Sequence, residues 1–181
     1  GDEIGVVGAE DLRRVGFEPA RNIDWSHVDP GITVINDYFS AKPFEQRFPG
    51  AKAKAVGCNA MFYDLSDPNS FVADVKAILA PDGIWCIQLS YLPLMLTNMN
   101  FYDICHEHLS YYSLDALRKL MARNGLAVFD ASTNGVNGGS GDDPPRSLQA
   151  QLHGGLGVGP GAAVLVSDGR YGSIAAAPSA R

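Results

Sequence analysis

The sequence predicts an α/β fold in which a mostly parallel sheet is covered by helices on both faces. Two observations support this prediction. Short β-rich runs alternate with segments of helical periodicity, and several of these runs end in polar residues. In such a sheet the carboxyl ends of the strands meet at one edge, where ligands bind. We therefore expect the functional residues to lie in the loops that follow the strands.

Five strands and two helices are predicted in chain order. The strands are residues 13–17, 32–35, 54–58, 83–89 and 126–129. One helix follows the N-cap Asp67, has Pro68 at its first position and ends before the turn 81–83, which opens the fourth strand. The other helix begins after the cap Ser113 and ends at Gly125. The elements therefore alternate as strand, helix and strand.

Size and composition restrict the class of protein. The 181 residues, 46% of them hydrophobic, suffice for one core, and the net charge of -6 comes without a long basic stripe, which argues against nucleic acid as a partner. No apolar run approaches the roughly 20 residues of a membrane helix, and no secretion signal is visible, so a cytoplasmic protein is expected. The three cysteines are widely spaced, which predicts reduced thiols.

The amino-acid composition of the chain changes after residue 140. Residues 1–140 hold the predicted elements, whereas in residues 141–181 Gly, Pro, Ala and Ser predominate and only a short apolar run, 163–166, stands out. We expect a domain over 1–140 and a poorly ordered tail over 141–181. The abrupt change also leads to the hypothesis that the tail is a shifted reading frame or a misjoined segment.

Polar residues after the early strands form a first candidate site. Glu18, followed by Pro19, would accept hydrogen bonds from the two hydroxyls of a ribose, unless it is an ordinary solvated residue. Asp37 could bind an adenine amino group or only cap a turn. The run Asn59-Ala60-Met61-Phe62 follows the third strand, although Met and Phe are more often core residues. Together these residues indicate a nucleoside site.

A second cluster, Cys105-His106-Glu107-His108, places two imidazoles, a carboxylate and a thiol side by side. In an extended segment, His106 and His108 would share one side and Glu107 would lie on the other. This suits a general base with an orienting partner, or half of a metal site that lacks a visible third ligand. A third interpretation is structural, with the histidines bonded to backbone carbonyls beneath the following tyrosines.

Three ordered stretches resemble the sugar C-methyltransferase family. They are Ala60-Met61-Phe62-Tyr63-Asp64-Leu65-Ser66-Asp67-Pro68, Tyr91-Leu92-Pro93-Leu94-Met95, and Ile104-Cys105-His106-Glu107-His108-Leu109-Ser110-Tyr111-Tyr112-Ser113-Leu114, within a similarity over about residues 12–140. The resemblance implies a Rossmann-like class I methyltransferase sheet that binds S-adenosylmethionine. It also implies methyl transfer to carbon next to a carbonyl, in a small-molecule substrate such as a nucleotide-linked keto-sugar.

The resemblance also implies roles for individual residues. Glu18 with Pro19 would hold the cofactor ribose, Asp37 with Tyr38 the adenine side, and residues 59–62 the methionine end. The segment 106–108 would remove a proton from the carbon to be methylated. No metal ligand is implied.

The sequence departs from the family pattern in three places. Cys105 stands where family members have a tyrosine, and the first strand with its glycine-rich loop is expected to be missing, so the sheet would be incomplete. Beyond Ser140 the family's next strand is not recognisable. Two alternatives therefore stay open: an inactive remnant or binding module, and a metal-dependent enzyme that uses His106 and His108. The sequence does not predict the oligomeric state.

Overall fold

A computed structural model describes residues 12–134, 147–153 and 162–166. Within these ranges the strands are β1 (Arg13–Phe17), β2 (Ile32–Ile35), β3 (Ala53–Asn59), β4 (Leu79–Ser90), β5 (Ala127–Asn134), β6 (Ser147–His153) and β7 (Ala162–Val166). The α-helices are α1 (Ala41–Arg47), α2 (Pro68–Ile78), α3 (Leu92–Thr97) and α4 (Leu114–Arg123). The described residues also contain three short 3-10 helices, Trp25–His27, Phe62–Asp64 and Phe101–Asp103.

All seven described strands belong to one sheet, in the order β2-β1-β7-β3-β4-β6-β5. The pairs from β2 to β4 are parallel, and β6 runs antiparallel to β4 and β5. A parallel pair needs a crossover connection, which α1 and α2 supply. The predicted mostly parallel α/β sheet is thus confirmed, and the carboxyl ends of β1, β3 and β4 share one edge.

The two predicted helices form where their capping residues indicated. Asp67 accepts a hydrogen bond from the backbone N–H of Ser70 at 3.1 Å, and Ser113 accepts one from Ala116 at 3.2 Å. Each side chain thereby satisfies a helix N–H that has no partner within the helix. The short helices α1 and α3 were not predicted, because seven and six residues are too few for a clear helical period.

The predicted turn 81–83 lies inside β4 instead of before it. Opposite β4, the register shifts so that Ala53 pairs with Leu79 while Ala55 pairs with Ile84. The extra residues of β4 form a bulge, and a Cβ at Gly83 would lie 2.7 Å from the carbonyl oxygen of Ala53. Glycine is required here because the two backbones approach closely. The residues predicted as a turn, 81–83, therefore belong to a bulge within β4.

The core is continuous from one side of the sheet to the other. An aromatic row links β1 to the loop before α4, with ring centroids 5.0–6.0 Å apart between neighbours. Its members are Phe17, Phe39, Phe71, Phe62 and Tyr112. Such packing holds the loops at the carboxyl edge in fixed positions.

The tail contains an antiparallel strand that sequence analysis missed. In β6 the residues Leu148, Ala150 and Leu152 are buried and alternate with Gln149 and Gln151, which is the two-residue period of a half-buried strand. Residues 147–153 therefore form a regular strand in the described part of the tail. The Gly- and Pro-rich surroundings concealed a short but regular alternation.

A second tail strand, β7, occupies the centre of the sheet. It runs parallel to both neighbours, with Val164 opposite Val15 of β1 and Val56 of β3. In doubly wound sheets this place, between the second and fourth strands, belongs to the first strand. Residues 162–166 pair with the edges of β1 and β3, which would otherwise be exposed. The rest of the tail lies outside the described residues.

Candidate functional site

The loops after β1, β2, β3 and β4 carry most of the residues that the sequence singled out. Glu18 follows β1, Asp37 follows β2, and the run Asn59–Phe62 begins at the last residue of β3. The segment 103–112 reaches the same edge from the end of α3. The topology therefore brings the two candidate clusters to one edge of the sheet.

Glu18 is a buried carboxylate at the end of β1. Only 3% of its surface is exposed, and its Oε1 accepts a hydrogen bond from the N–H of Ala20 at 2.8 Å. The Asn36 amide donates to the carbonyl oxygens of Glu18 and Ala20, at 2.7 and 2.8 Å, which fixes the turn through Pro19. Burial of a carboxylate is costly unless it is hydrogen-bonded, so an ordinary solvated residue is excluded.

Asp37 and Tyr38 lie further out at the end of β2. The Asp37 side chain accepts a hydrogen bond from the N–H of Tyr38 at 2.8 Å, and its own N–H donates to Ile35 at 2.9 Å. Asp37 thus caps the turn, which was one of its two interpretations. The ring of Tyr38 is 75% exposed and offers an aromatic face to solvent.

The run after β3 divides into an accessible part and a buried part. Asn59 and Ala60 are half-buried, and Ala60 has a left-handed φ of 51° while its N–H donates to the carbonyl oxygen of Gln88 at 2.9 Å. Met61 is buried, with its sulfur 2.9 Å from that of Cys58. Phe62 is fully buried among Phe71, Trp85 and Tyr112. Phe62 is therefore a core residue.

His108 is held by a backbone carbonyl and an aromatic ring. Its Nδ1 lies 2.7 Å from the carbonyl oxygen of Asp103, and its ring centroid lies 4.2 Å from that of Tyr63. Because a carbonyl oxygen only accepts hydrogen bonds, Nδ1 must carry the proton in the neutral ring. The lone pair is then on Nε2, which is the atom able to act as a base.

His106 and Glu107 have different surroundings from His108. Residues 105–108 form a turn, with the N–H of His108 donating to the carbonyl oxygen of Cys105 at 3.2 Å, so the segment is not extended. The side chain of His106 is 91% exposed, and its Nε2 lies 3.0 Å from Glu107 Oε1. The structure therefore pairs His106 with Glu107 and separates this pair from the anchoring contacts of His108.

Backbone hydrogen bonds attach the His108 segment to the ends of β3 and β4. The N–H of Ser110 donates to the carbonyl oxygen of Tyr63 at 3.0 Å, just beyond β3. Just beyond β4, Tyr91 forms a bridge with Tyr112, and the N–H of Leu92 donates to the Tyr112 carbonyl at 3.1 Å. His108 therefore lies in a segment attached to the same carboxyl edge of the sheet that the loop with Met61 follows.

Sequence analysis missed three residues that shape this region. Tyr63 and Asp103 hold His108, and the Tyr111 hydroxyl donates to the Asp103 carbonyl at 3.4 Å. Desolvation and the nearby Cys105 raise the pKa of Tyr111, so its hydroxyl stays protonated and can donate. Tyr63 lies within one of the family-like stretches. Tyr111 lies within another and belongs to the tyrosines that the structural interpretation of the histidines invoked.

Exposed apolar side chains surround the segment. They are Leu96, Met99, Phe101, Tyr102, Ile104 and Leu109, each 57–70% exposed. In the described ranges, no three His, Cys, Asp or Glu side chains are placed to hold one metal ion. In the same residues, no helix has the length and apolar character needed to cross a bilayer.

Comparison with protein families gives a match that covers most of the chain. Residues 5–131 match the model of a methyltransferase domain. The chain belongs to this methyltransferase family. Its assignment to the class I S-adenosylmethionine-dependent methyltransferases, made from the three family-like stretches, is thereby confirmed.

One relative supports a finer comparison. Over 129 residues the chain is 37% identical to the C-methyltransferase NovU of Streptomyces niveus. The match covers 71% of this chain and 31% of NovU, so the chain spans about a third of the length of that relative. Methyl transfer to carbon is what the name of NovU states.

Solved structures of methyltransferases share the fold. A methyltransferase of Thermotoga maritima has a TM-score of 0.53 at 14% identity, covering 78% of this chain and 72% of its own. The plantazolicin methyltransferase BpumL, solved with S-adenosylhomocysteine, has a TM-score of 0.51 at 14% identity, covering 77% and 66%. At this identity the likeness concerns the fold, and it confirms the α/β methyltransferase architecture.

Proposed function

We propose that the chain binds S-adenosylmethionine at the carboxyl edge of the sheet and transfers its methyl group to carbon next to a carbonyl. The acceptor is a small molecule of the nucleotide-linked keto-sugar type. The observation that supports this proposal is the hydrogen bond between His108 Nδ1 and the Asp103 carbonyl. It leaves the lone pair of the neutral ring on Nε2, in a loop at the carboxyl edge where Glu18 also lies. Family membership and the likeness to NovU agree with it.

The residues at the edge fit the cofactor. The buried Glu18 carboxylate suits two ribose hydroxyls, since a carboxylate accepts several hydrogen bonds and one of its oxygens already holds the Ala20 N–H. Asp37 and the exposed ring of Tyr38 lie one strand further out, on the adenine side. Asn59 and Ala60 would contact the methionine end, while Met61 and Phe62 support them from the core.

The cofactor supplies a methyl group that its sulfonium makes electrophilic. His108 Nε2 removes a proton from the acceptor carbon, whose C–H bond is acidic because a carbonyl is adjacent. The electron pair of that C–H bond stays on the acceptor carbon, where it would accept the methyl group of the bound cofactor, with S-adenosylhomocysteine as the leaving group. The His106–Glu107 pair lies at the solvent side of the same turn, where it would contact the acceptor.

Calorimetric titration with S-adenosylhomocysteine tests cofactor binding. A competent site should bind at micromolar levels, about 8 kcal/mol. A mass-spectrometric assay with nucleotide-linked keto-sugars should then show a product one methyl group heavier, with the new bond on carbon. Absence of heat would favour the alternative of a non-catalytic remnant. Binding without methyl transfer to any keto-sugar would contradict the acceptor class and leave the cofactor assignment intact.

A further inference from the structure

A cavity at the opposite, amino-terminal edge of the sheet is lined by two arginines. It has a volume of about 400 Å³ and is bounded by Arg13, Thr33, Arg47, Phe48 and Pro49. Arg13 is the first residue of β1, and the carboxyl edge begins after Phe17, four residues on. At about 3.3 Å per residue, roughly 13 Å of strand separates this cavity from the candidate methyl-transfer site. The two sites are therefore distinct.

The two guanidinium groups converge on one aromatic ring. The Arg13 and Arg47 guanidinium carbons lie 4.8 and 5.4 Å from the ring centroid of Phe48, which is itself buried. Arg13 lies on the same face of β1 as the buried Val15 and Phe17. It is the exposed first residue of the strand, so its side chain lies at the margin of the core. Arg47 arrives from the last turn of α1.

No carboxylate among the described residues pairs with either arginine. The neighbouring Arg14 differs, because its guanidinium lies 2.8 Å from Asp29, whose pKa is lowered by hydrogen bonds from Gly31 and Arg14. Stacking on Phe48 offsets only part of the repulsion between two cations, since an exposed cation–π contact contributes about 0.5–1 kcal/mol. Two cations that stack on one ring, without a carboxylate partner among the described residues, form a local positive site that favours an anion.

The chemistry of the lining defines the anion. A guanidinium presents a planar fork of N–H donors that matches phosphate oxygens, and two forks together balance a doubly charged group. Thr33 adds a hydroxyl, while Phe48 and Pro49 form an apolar wall for the organic part of the ligand. We propose that Arg13, Arg47 and Phe48 form a binding site for a small phosphate ester, separate from the methyl-transfer site.

Titration with pyrophosphate and with phenyl phosphate at low and at high salt tests this proposal. The protein should bind both probes, and added salt should weaken the binding. Inorganic phosphate, titrated alongside them, should bind more weakly than phenyl phosphate. Arg13→Gln and Arg47→Gln should each lower the affinity about tenfold or more. The Lys variants should recover part of it, because they keep the charge and lose the fork.

Arg123→Gln is the matched control, because Arg123 is an exposed arginine at the end of α4 and the substitution changes the net charge equally. It should leave phosphate binding unchanged, and all of these variants should keep their affinity for S-adenosylhomocysteine. Should Arg13→Gln fail to fold, Arg47→Gln still provides the test, since Arg47 is exposed. Absence of binding, an equal loss in Arg123→Gln, or displacement of the phosphate by S-adenosylhomocysteine would overturn the proposal.

Discussion

The loop that carries the candidate base has two regions with contrasting surroundings. In the anchored region, His108 is fixed between the Asp103 carbonyl and the ring of Tyr63. At the exposed tip, Cys105 and His106 face solvent, and Glu107 contacts His106. Residues two positions apart therefore differ in what they can do. A general base needs a fixed position and a defined tautomer, and only the anchored region provides both.

The largest effect should follow removal of the anchored imidazole. His108→Ala should lower turnover by about a hundredfold or more, because the proton is then left without a positioned acceptor. Affinity for S-adenosylhomocysteine should stay nearly unchanged, since the ring is not part of the proposed cofactor contacts. Steady-state kinetics together with calorimetry would check both. A rate close to wild type would remove His108 as the base.

A smaller effect is expected at the cofactor end of the same edge. Glu18→Ala should weaken binding of S-adenosylhomocysteine about tenfold or more, because hydrogen bonds to charged groups contribute about 1.5–3 kcal/mol each. Glu45→Ala, at an exposed position of α1, serves as the control with the same change of charge. Equal affinities in the two variants would contradict the assignment of Glu18 to the ribose.

Tyr63 should act through His108 as a positioning residue. Tyr63→Leu removes the ring that lies 4.2 Å from the imidazole and should lower turnover about fivefold, in line with the 0.5–1.5 kcal/mol of an aromatic pair. Tyr63→Phe keeps the ring and should restore the rate. A purely structural role would instead lower the melting temperature of the Leu variant without changing the turnover of the folded enzyme.

The smallest effect is expected at the exposed tip. His106→Ala should change turnover by less than about fivefold, because a contact as exposed as that between His106 and Glu107 contributes at most about 1 kcal/mol. The same assay as for His108→Ala provides the comparison. A loss as large as that of His108→Ala would show that both regions take part in proton transfer and would end the distinction between them.

The sequence predicted structure best where the signal arises among residues that are neighbours along the chain. The caps Asp67 and Ser113 and the apolar runs of β1 and β2 are of this kind, because capping and periodicity act within a few residues. The family-like stretches placed the candidate residues at one edge. The sequence could not show that His106 and His108 differ, because the turn at 105–108 depends on contacts with Tyr63 and Asp103.

The sequence by itself determined the alternating elements, the parallel character of the sheet and the family. Only the tertiary structure decided which strands lie in the interior of the sheet, since β7 is inserted between β1 and β3 from a segment just over 100 residues beyond β3. It also decided the environment of each candidate residue, from the buried Glu18 to the two arginines stacked on Phe48. The physical reason is range: propensity and periodicity act along the chain, whereas burial and electrostatic balance depend on groups that only folding brings together.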